Sequence, residues 1–178
     1  HVATTNNLFC KACPIGQNQP VTGQTSCNEN LCKCPSGGRS TNGTQCPDNG
    51  ANKCASCPLG KSFLSGSCEI CPTGTYQNQN EHTSSTCKAC TIGKWSNETG
   101  LTSDKACRGR CSGGKYSNTV GLTSDAECKL CPKGRWSSLK GVKDYTDCEG
   151  LCPSGTYGAI IGLLSADQCT NCTEGRYT

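Results

Sequence analysis

The sequence predicts a small disulfide-rich fold: an extended, solenoid-like tandem array of cysteine-rich modules made of short β-hairpins and loops, with little helix and no large core. Three observations carry that expectation. Of 178 residues, 20 are cysteine, the density of a disulfide scaffold. Leu, Ile, Val and Phe number only 22, a composition that reads as disordered unless something covalent holds it. The cysteines, finally, are periodic. The first two observations exclude a single large core, and with it a Rossmann fold, a TIM barrel or a helical bundle, because so little apolar area cannot offset the entropy of ordering the chain.

Cysteines arrive in nine pairs, Cys10/Cys13, Cys32/Cys34, Cys54/Cys57, Cys68/Cys71, Cys87/Cys90, Cys107/Cys111, Cys128/Cys131, Cys148/Cys152 and Cys169/Cys172, with only Cys27 and Cys46 standing alone. From Cys71 onward the second member recurs every 19 to 21 residues, and an aromatic follows it five places later: Tyr76, Trp95, Tyr116, Trp136, Tyr157 and Tyr177. A glycine holds the third place each time, from Gly74 to Gly175. The unit reads C-P-x-G-x-[YW]-S…G-L-T-S-D-x-x-C, and a unit this small leans on its neighbours, as in a solenoid.

Each element of the unit has a physical reason. Proline after cysteine fixes φ and the glycine permits a left-handed turn, so the unit opens on a tight bend. The aromatic is its one large apolar side chain and is expected to pack on the adjacent disulfide. The Ser/Asn-rich middle reads as a loop. The closing Thr102-Ser103-Asp104 and Thr123-Ser124-Asp125 are expected to start one turn through side-chain-to-backbone bonds. At one carboxylate per repeat, these acids suit structure better than calcium.

Pairs spaced this way also fit zinc ribbons. Three features favour disulfides. The gap inside a pair drifts from one residue (Cys32/Cys34) to three (Cys107/Cys111, Cys148/Cys152). Sequons at Asn42, Asn97 and Asn171 point to N-glycosylation and a secretory route. Only two histidines, His1 and His82, exist to complete mixed sites. No metal or cofactor is therefore expected, and no thioredoxin-like context surrounds any CxxC.

The C-P-x-G-x-[YW] opening resembles the one-disulfide module of tumour necrosis factor receptor ectodomains, and the whole unit resembles ephrin-receptor-like (GCC2/GCC3-type) cysteine-rich repeats more closely still. The resemblance spans residues 10–178, strongly from 68 and weakly over 10–57. There Asn18 and Arg39 replace the aromatic, and Phe63 is displaced from its position. The resemblance implies that each opening cysteine bonds the next one down the chain: Cys13–Cys27, Cys57–Cys68, Cys71–Cys87, Cys90–Cys107, Cys111–Cys128, Cys131–Cys148 and Cys152–Cys169. It also implies a crossed two-disulfide module, Cys32–Cys46 with Cys34–Cys54. Cys10 and Cys172 are left for inter-repeat or intermolecular bonds. The expected division is 1–57, degenerate modules including the crossed one, and 58–178, tandem single-disulfide repeats of about 20 residues. Legs of about eight residues at about 3.3 Å each would carry eight modules over roughly 100–200 Å.

Function follows from what is missing as well as from what repeats. The net charge of +4 is spread without a run of five like charges, a solvated surface rather than a nucleic-acid footprint. The longest apolar stretch, Ala159–Leu164, is far too short to span a bilayer; it reads equally as a self-association element or as packing against the next module. The chain opens at His1 in mid-pattern and stops at Thr178 just after a repeat begins, as a processed product or a window of a longer array would, so the lack of a signal peptide does not argue for the cytosol. Isolated histidines, no G-x-S-x-G and no recurring carboxylate pair argue against an enzyme.

The leading expectation is an extracellular, N-glycosylated structural array, a subunit of a surface coat, appendage or fibre that associates with itself. The clusters Thr4-Thr5, Thr83-Ser84-Ser85-Thr86 and Thr99…Thr102-Ser103 are candidate O-glycan carriers. The alternative is a receptor or adhesion ectodomain binding a protein ligand. Carbohydrate binding through Trp95 and Trp136 is a weaker option, since both hold the packing position.

Overall fold

Nine disulfides organise the computed structural model, which describes residues 10–177. His1 and Thr4-Thr5 lie outside the described residues. The bonds are Cys13–Cys27, Cys32–Cys46, Cys34–Cys54, Cys57–Cys68, Cys71–Cys87, Cys90–Cys107, Cys111–Cys128, Cys131–Cys148 and Cys152–Cys169. Strands are two to four residues long and pair two by two, without a larger sheet among the described residues. The remaining regular structure is single 3₁₀ turns just before closing cysteines, such as Asp104–Ala106 and Asp125–Glu127. This is a small disulfide-rich fold, with cysteines as the largest part of its buried apolar surface.

The chain forms two compact units. The first takes residues up to Pro58 together with Phe63–Cys68 and Glu81–Thr83. Here Cys32–Cys46 and Cys34–Cys54 interleave, and the buried Asn30 joins the crossed module to the loop before it. Its side-chain amide donates to the carbonyls of Cys46 (3.0 Å) and Pro47 (3.1 Å) and its oxygen accepts from Asn18 (2.9 Å). Asn18, at the aromatic's position, thus makes a polar anchor in place of an apolar one. Phe63 packs on the cluster of Cys34, Cys54, Cys57 and Cys68. Arg39 faces Glu81 at 4.0 Å with both side chains mostly in water, a pair that contributes little.

The second unit comprises Leu59–Ser62, Glu69–Asn80 and the chain from Ser84 onward. Each repeat opens on a turn with a left-handed glycine and enters a two-residue strand that ends on the aromatic, for example Thr75–Tyr76 and Lys115–Tyr116. This strand pairs antiparallel with the dipeptide just before the next opening cysteine, as in Tyr76↔Lys88 and Trp95↔Gly109. A residue larger than glycine does not fit at 109, because a Cβ there would meet the Trp95 ring at 2.2 Å.

Neighbouring repeats join through the aromatic. Tyr76 packs on the Cys90–Cys107 disulfide and Leu101, Trp95 on Cys111–Cys128 and Leu122, and Tyr116 on Cys131–Cys148 and Val142. The aromatic therefore covers the disulfide of the following repeat rather than its own. Its backbone forms parallel bridges to the same aliphatic residue: Tyr76↔Leu101, Trp95↔Leu122, Tyr116↔Val142 and Trp136↔Leu163. The residue after the aromatic completes the joint. Gln77, Ser96, Ser117 and Ser137 are buried and donate their N–H to the carbonyls of Leu101, Leu122, Val142 and Leu163 at 2.9–3.1 Å. Each serine hydroxyl accepts the N–H two places on, as Ser117 does from Thr119 (3.1 Å), the local turn that serine favours. The opening glycine is required by close approach as well as by φ: a Cβ on Gly74 would lie 2.3 Å from the Gly121 carbonyl, two repeats on.

The apolar stretch Ala159–Leu164 divides by position. Leu163 is 1% exposed under Trp136, whereas Ile160 (62%), Ile161 (50%) and Leu164 (46%) face solvent. Leu163, in register with the other aliphatics, is the large apolar side chain of this stretch that the joint buries.

Leu122→Ala should lower the unfolding free energy of the second unit by about 2–3 kcal/mol, the usual cost of a buried leucine truncation. Val120→Ala, at an exposed neighbouring position, should change it by less than about 0.5 kcal/mol. Denaturant titration of the two variants checks the contrast.

Candidate functional site

The chemistry-bearing residues gather at the repeat boundaries. Where the opening cysteine is followed by Thr91 or Ser112, an aspartate near the closing cysteine reaches back across the repeat. Asp104 accepts from the Thr91 N–H (2.9 Å), the Thr91 hydroxyl (3.1 Å) and the Lys94 ammonium (2.5 Å). Asp125 does the same with the Ser112 N–H (2.7 Å), the Ser112 hydroxyl (2.9 Å) and Lys115 (2.6 Å). Burial works against ionisation of both carboxyls. The hydrogen bonds from lysine, backbone and hydroxyl outweigh it, so both pKa values lie below the ordinary aspartate range.

This clamp corrects the expectation for the closing T-S-D. The 3₁₀ turn forms, but Ser103 and Ser124 make no side-chain cap on it. Asp104 and Asp125 are occupied by the opening turn instead. Among the described residues only Asp144 caps its 3₁₀ turn, accepting from the Thr146 N–H while Asp147 accepts from the Asp144 N–H.

The clamp and the opening proline exclude each other for a simple reason: proline has no N–H to give. Repeats opening on Pro72, Pro132 and Pro153 carry Ser84, Tyr145 and Ala166 at the aspartate's position. In one of them the boundary is rebuilt with apolar contact, the Tyr145 ring meeting Tyr116 edge-on at 6.4 Å.

The three sequon asparagines, Asn42, Asn97 and Asn171, are all exposed. His82 forms an isolated bridge with Cys57. The indole of Trp136 donates to the Leu151 carbonyl (3.2 Å), and its ring lies against the backbone of Gly150, where a Cβ would come within 2.1 Å. Trp95 sits likewise on Gly109, so one face of each ring is taken up by the protein. In the first unit the sulfurs of Cys34, Cys54 and Cys68 lie within 4.8 Å of one another. Cys34 and Cys54 share one disulfide and Cys68 shares another with Cys57, and a metal needs thiolates; as bonded, this cluster has none to offer. Cys10 and Cys172 are the free cysteines among the described residues, the first exposed and the second half-buried.

Sequence reasoning missed two parts of this arrangement. Leu101, Leu122, Val142 and Leu163 were visible as the residue before T-S-D or its equivalents, but nothing marked them as the partner of the preceding repeat's aromatic. The aspartate clamp could have been found from the alternation of Pro with Thr or Ser after the opening cysteine. No family model matches the chain, and a search of curated proteins returns no match.

The depressed aspartate pKa values carry a sign. Their contribution to stability is present above the unfolded value of about 3.9 and is lost as pH falls through the lower folded values. The second unit should therefore lose stability on acidification below about pH 4, and the double substitution Asp104→Asn with Asp125→Asn should flatten that dependence. Urea unfolding at a series of pH values between about 2 and 7 reads it.

Proposed function

We propose that this chain is an extracellular structural array, disulfide-stapled and N-glycosylated, that serves as a subunit of a surface coat, appendage or fibre. The observation that carries the reading is that the repeat's recurring positions are used up by stacking. The opening glycine, the aromatic, the buried Ser or Gln after it and the aliphatic before T-S-D all contact the chain's own neighbouring repeats. The repeated surface is architecture, and no catalytic role is proposed. Nine disulfides support an oxidising compartment, and the exposed sequons support N-glycans at Asn42, Asn97 and Asn171. No helix among the described residues is long and apolar enough to cross a membrane. The likeness of the unit to ephrin-receptor-like repeats supports the same reading.

A second reading, a receptor or adhesion ectodomain for a protein ligand, is favoured by one feature, the crossed module of Cys32–Cys46 and Cys34–Cys54. Crossed units of this kind resemble those of tumour necrosis factor receptors, but only one is present against a monotonous run of single-disulfide repeats. Fold likeness does not choose between the two, because function resides in sites.

Chain secreted from eukaryotic cells should run as polymers on non-reducing gels and show filaments or sheets in negative stain. Enzymatic deglycosylation should increase its mobility, and substituting each sequon asparagine by Gln should remove one step of that shift. A monodisperse monomer, unchanged in association by reduction or deglycosylation, would sink the structural reading and leave ligand capture.

A further inference from the structure

Positive charge that is scattered along the sequence converges at one joint of the second unit. We propose that Lys94, Arg110 and Lys143 form a binding site for the sulfate groups of an acidic polysaccharide. The site goes beyond the structural-array reading and does not need the array to assemble. Only the choice of an extracellular glycan as carrier of the anion rests on that reading, through the oxidising compartment that the disulfides support.

This joint differs from its equivalents in chemistry and not in geometry. The residue just before each opening cysteine lies over a glycine farther along the chain. A Cβ added at Gly100 would meet Ile70 Cγ2 at 3.3 Å, one at Gly121 would meet Ala89 Cβ at 3.4 Å, and one at Gly162 would meet Leu130 Cδ2 at 2.6 Å. In these three joints the covering side chain is apolar. In the fourth it is Arg110, whose Cδ would lie 3.4 Å from a Cβ on Gly141. The residue two places after the glycine changes with it: Thr102, Thr123 and Leu164 elsewhere, Lys143 here.

Packing does not ask for this charge. Ala89 with Thr75 and Thr123 makes the same joint from neutral residues, and Leu130 with Leu164 makes it largely apolar. The charges also work against the fold, because Arg110 stands directly opposite Lys94 in the antiparallel pair, where like charges destabilise. A position that is filled for packing in its sister joints, and filled with mutually repelling cations in one, is accounted for by what the cations hold.

The three side chains line a hollow of about 290 Å³ together with Thr91, Gly93 and Gly141, and no carboxylate is part of its wall. Lys94 is held by Asp104 at 2.5 Å, and no ion pair to Arg110 or Lys143 forms among the described residues. With three cations and one carboxylate, the site keeps a surplus of positive charge, and a concave wall focuses it. The clamp fixes Lys94, and contact with Gly141 places the stem of Arg110, so little ordering is left for binding to supply. The guanidinium fork suits two oxygens of one sulfate, with the ammonium groups as point charges beside it. Arg110 and Lys143 are both exposed, so the hollow is open to a group projecting from a polymer.

The test measures binding of the full chain, all nine disulfides formed, to a heparin oligosaccharide and to the same oligosaccharide after desulfation, by calorimetry over a range of salt. Arg110→Leu and Lys143→Thr give each position the residue of a sister joint, Leu130 or Thr123, so the packing has a precedent in the same chain. Urea midpoints confirm that the variants fold. A double variant Lys11→Gln with Lys33→Gln removes the same charge from exposed positions of the first unit.

The unsubstituted chain should bind the sulfated oligosaccharide and not the desulfated one. Combining Arg110→Leu with Lys143→Thr should weaken binding about tenfold or more and flatten its salt dependence, while the control pair should change it by less than about twofold. If Arg110→Leu fails to fold, Lys143→Thr alone, at its exposed position, should still cost about threefold. Equal losses from the two double variants, no loss from the hollow variants, or binding that survives desulfation would overturn the site. Inorganic polyphosphate binding more tightly than heparin, with the same sensitivity to Arg110→Leu, would overturn the glycan as its ligand. Failure here leaves the gels and negative-stain images that test the structural reading untouched, so the two are judged separately.

Discussion

An aromatic ring resting on a neighbour's disulfide is the contact on which the second unit depends. A loop of about 20 residues cannot bury enough apolar surface to offset its own ordering. The disulfide removes part of that entropy from the unfolded chain, and the ring then shields the sulfurs from water. Because Tyr76 protects Cys90–Cys107, and Trp95 protects Cys111–Cys128, every repeat depends on the one before it for cover. The aliphatic residue in register, Leu101 or Leu122, fills the rest of the pocket. Together these three groups replace the core that the composition denies.

The backbone is organised around the same contact. Bringing a ring over the following disulfide puts the residue after it in an interior position, where an N–H must find an acceptor. The carbonyl of the aliphatic residue serves, and a small or amide side chain there can satisfy itself locally, which accounts for Ser96, Ser117, Ser137 and Gln77. Where proline follows the opening cysteine, the turn is set by the ring and no N–H needs a partner. Where Thr91 or Ser112 follows, an aspartate supplies the acceptor and a lysine neutralises it. These are two solutions to one local problem, used within a single chain.

Much of the fold was legible because its strongest signals are covalent or steric. Cysteine spacing, the opening glycine and the aromatic five places on each identify a repeat, and at Gly74, Gly93 and Gly114 a Cβ would strike backbone two repeats on. The identity of each disulfide partner was not legible from residues alone; it came from resemblance to known repeats. The direction in which the aromatic packs was also hidden, since the ring lies five residues from its own opening cysteine and 14 to 16 from the next, so nearness in sequence pointed to the wrong disulfide. Asp104 misled for a different reason. A T-S-D before a cysteine looks like a local cap, and only the fold brings Thr91, thirteen residues earlier, close enough to compete. In the first unit Asn18 and Arg39 were correctly marked as departures, but the hydrogen bond that Asn18 donates to Asn30 had no counterpart in the pattern.

The way loops are closed also fixes how this unit responds to being pulled. Each opening cysteine is bonded to a closing cysteine 16 or 17 residues on, and only two or three residues separate that one from the next opening cysteine. Tension along the chain therefore runs through sulfur and through these short connectors, while the loops, which hold most of the residues, lie in parallel with the load and remain slack. The length that stretching can release is confined to the connectors for as long as the disulfides hold. Reduction would return the loops to the load path all at once, so extensibility in this unit is controlled by redox state rather than by the strength of its packing.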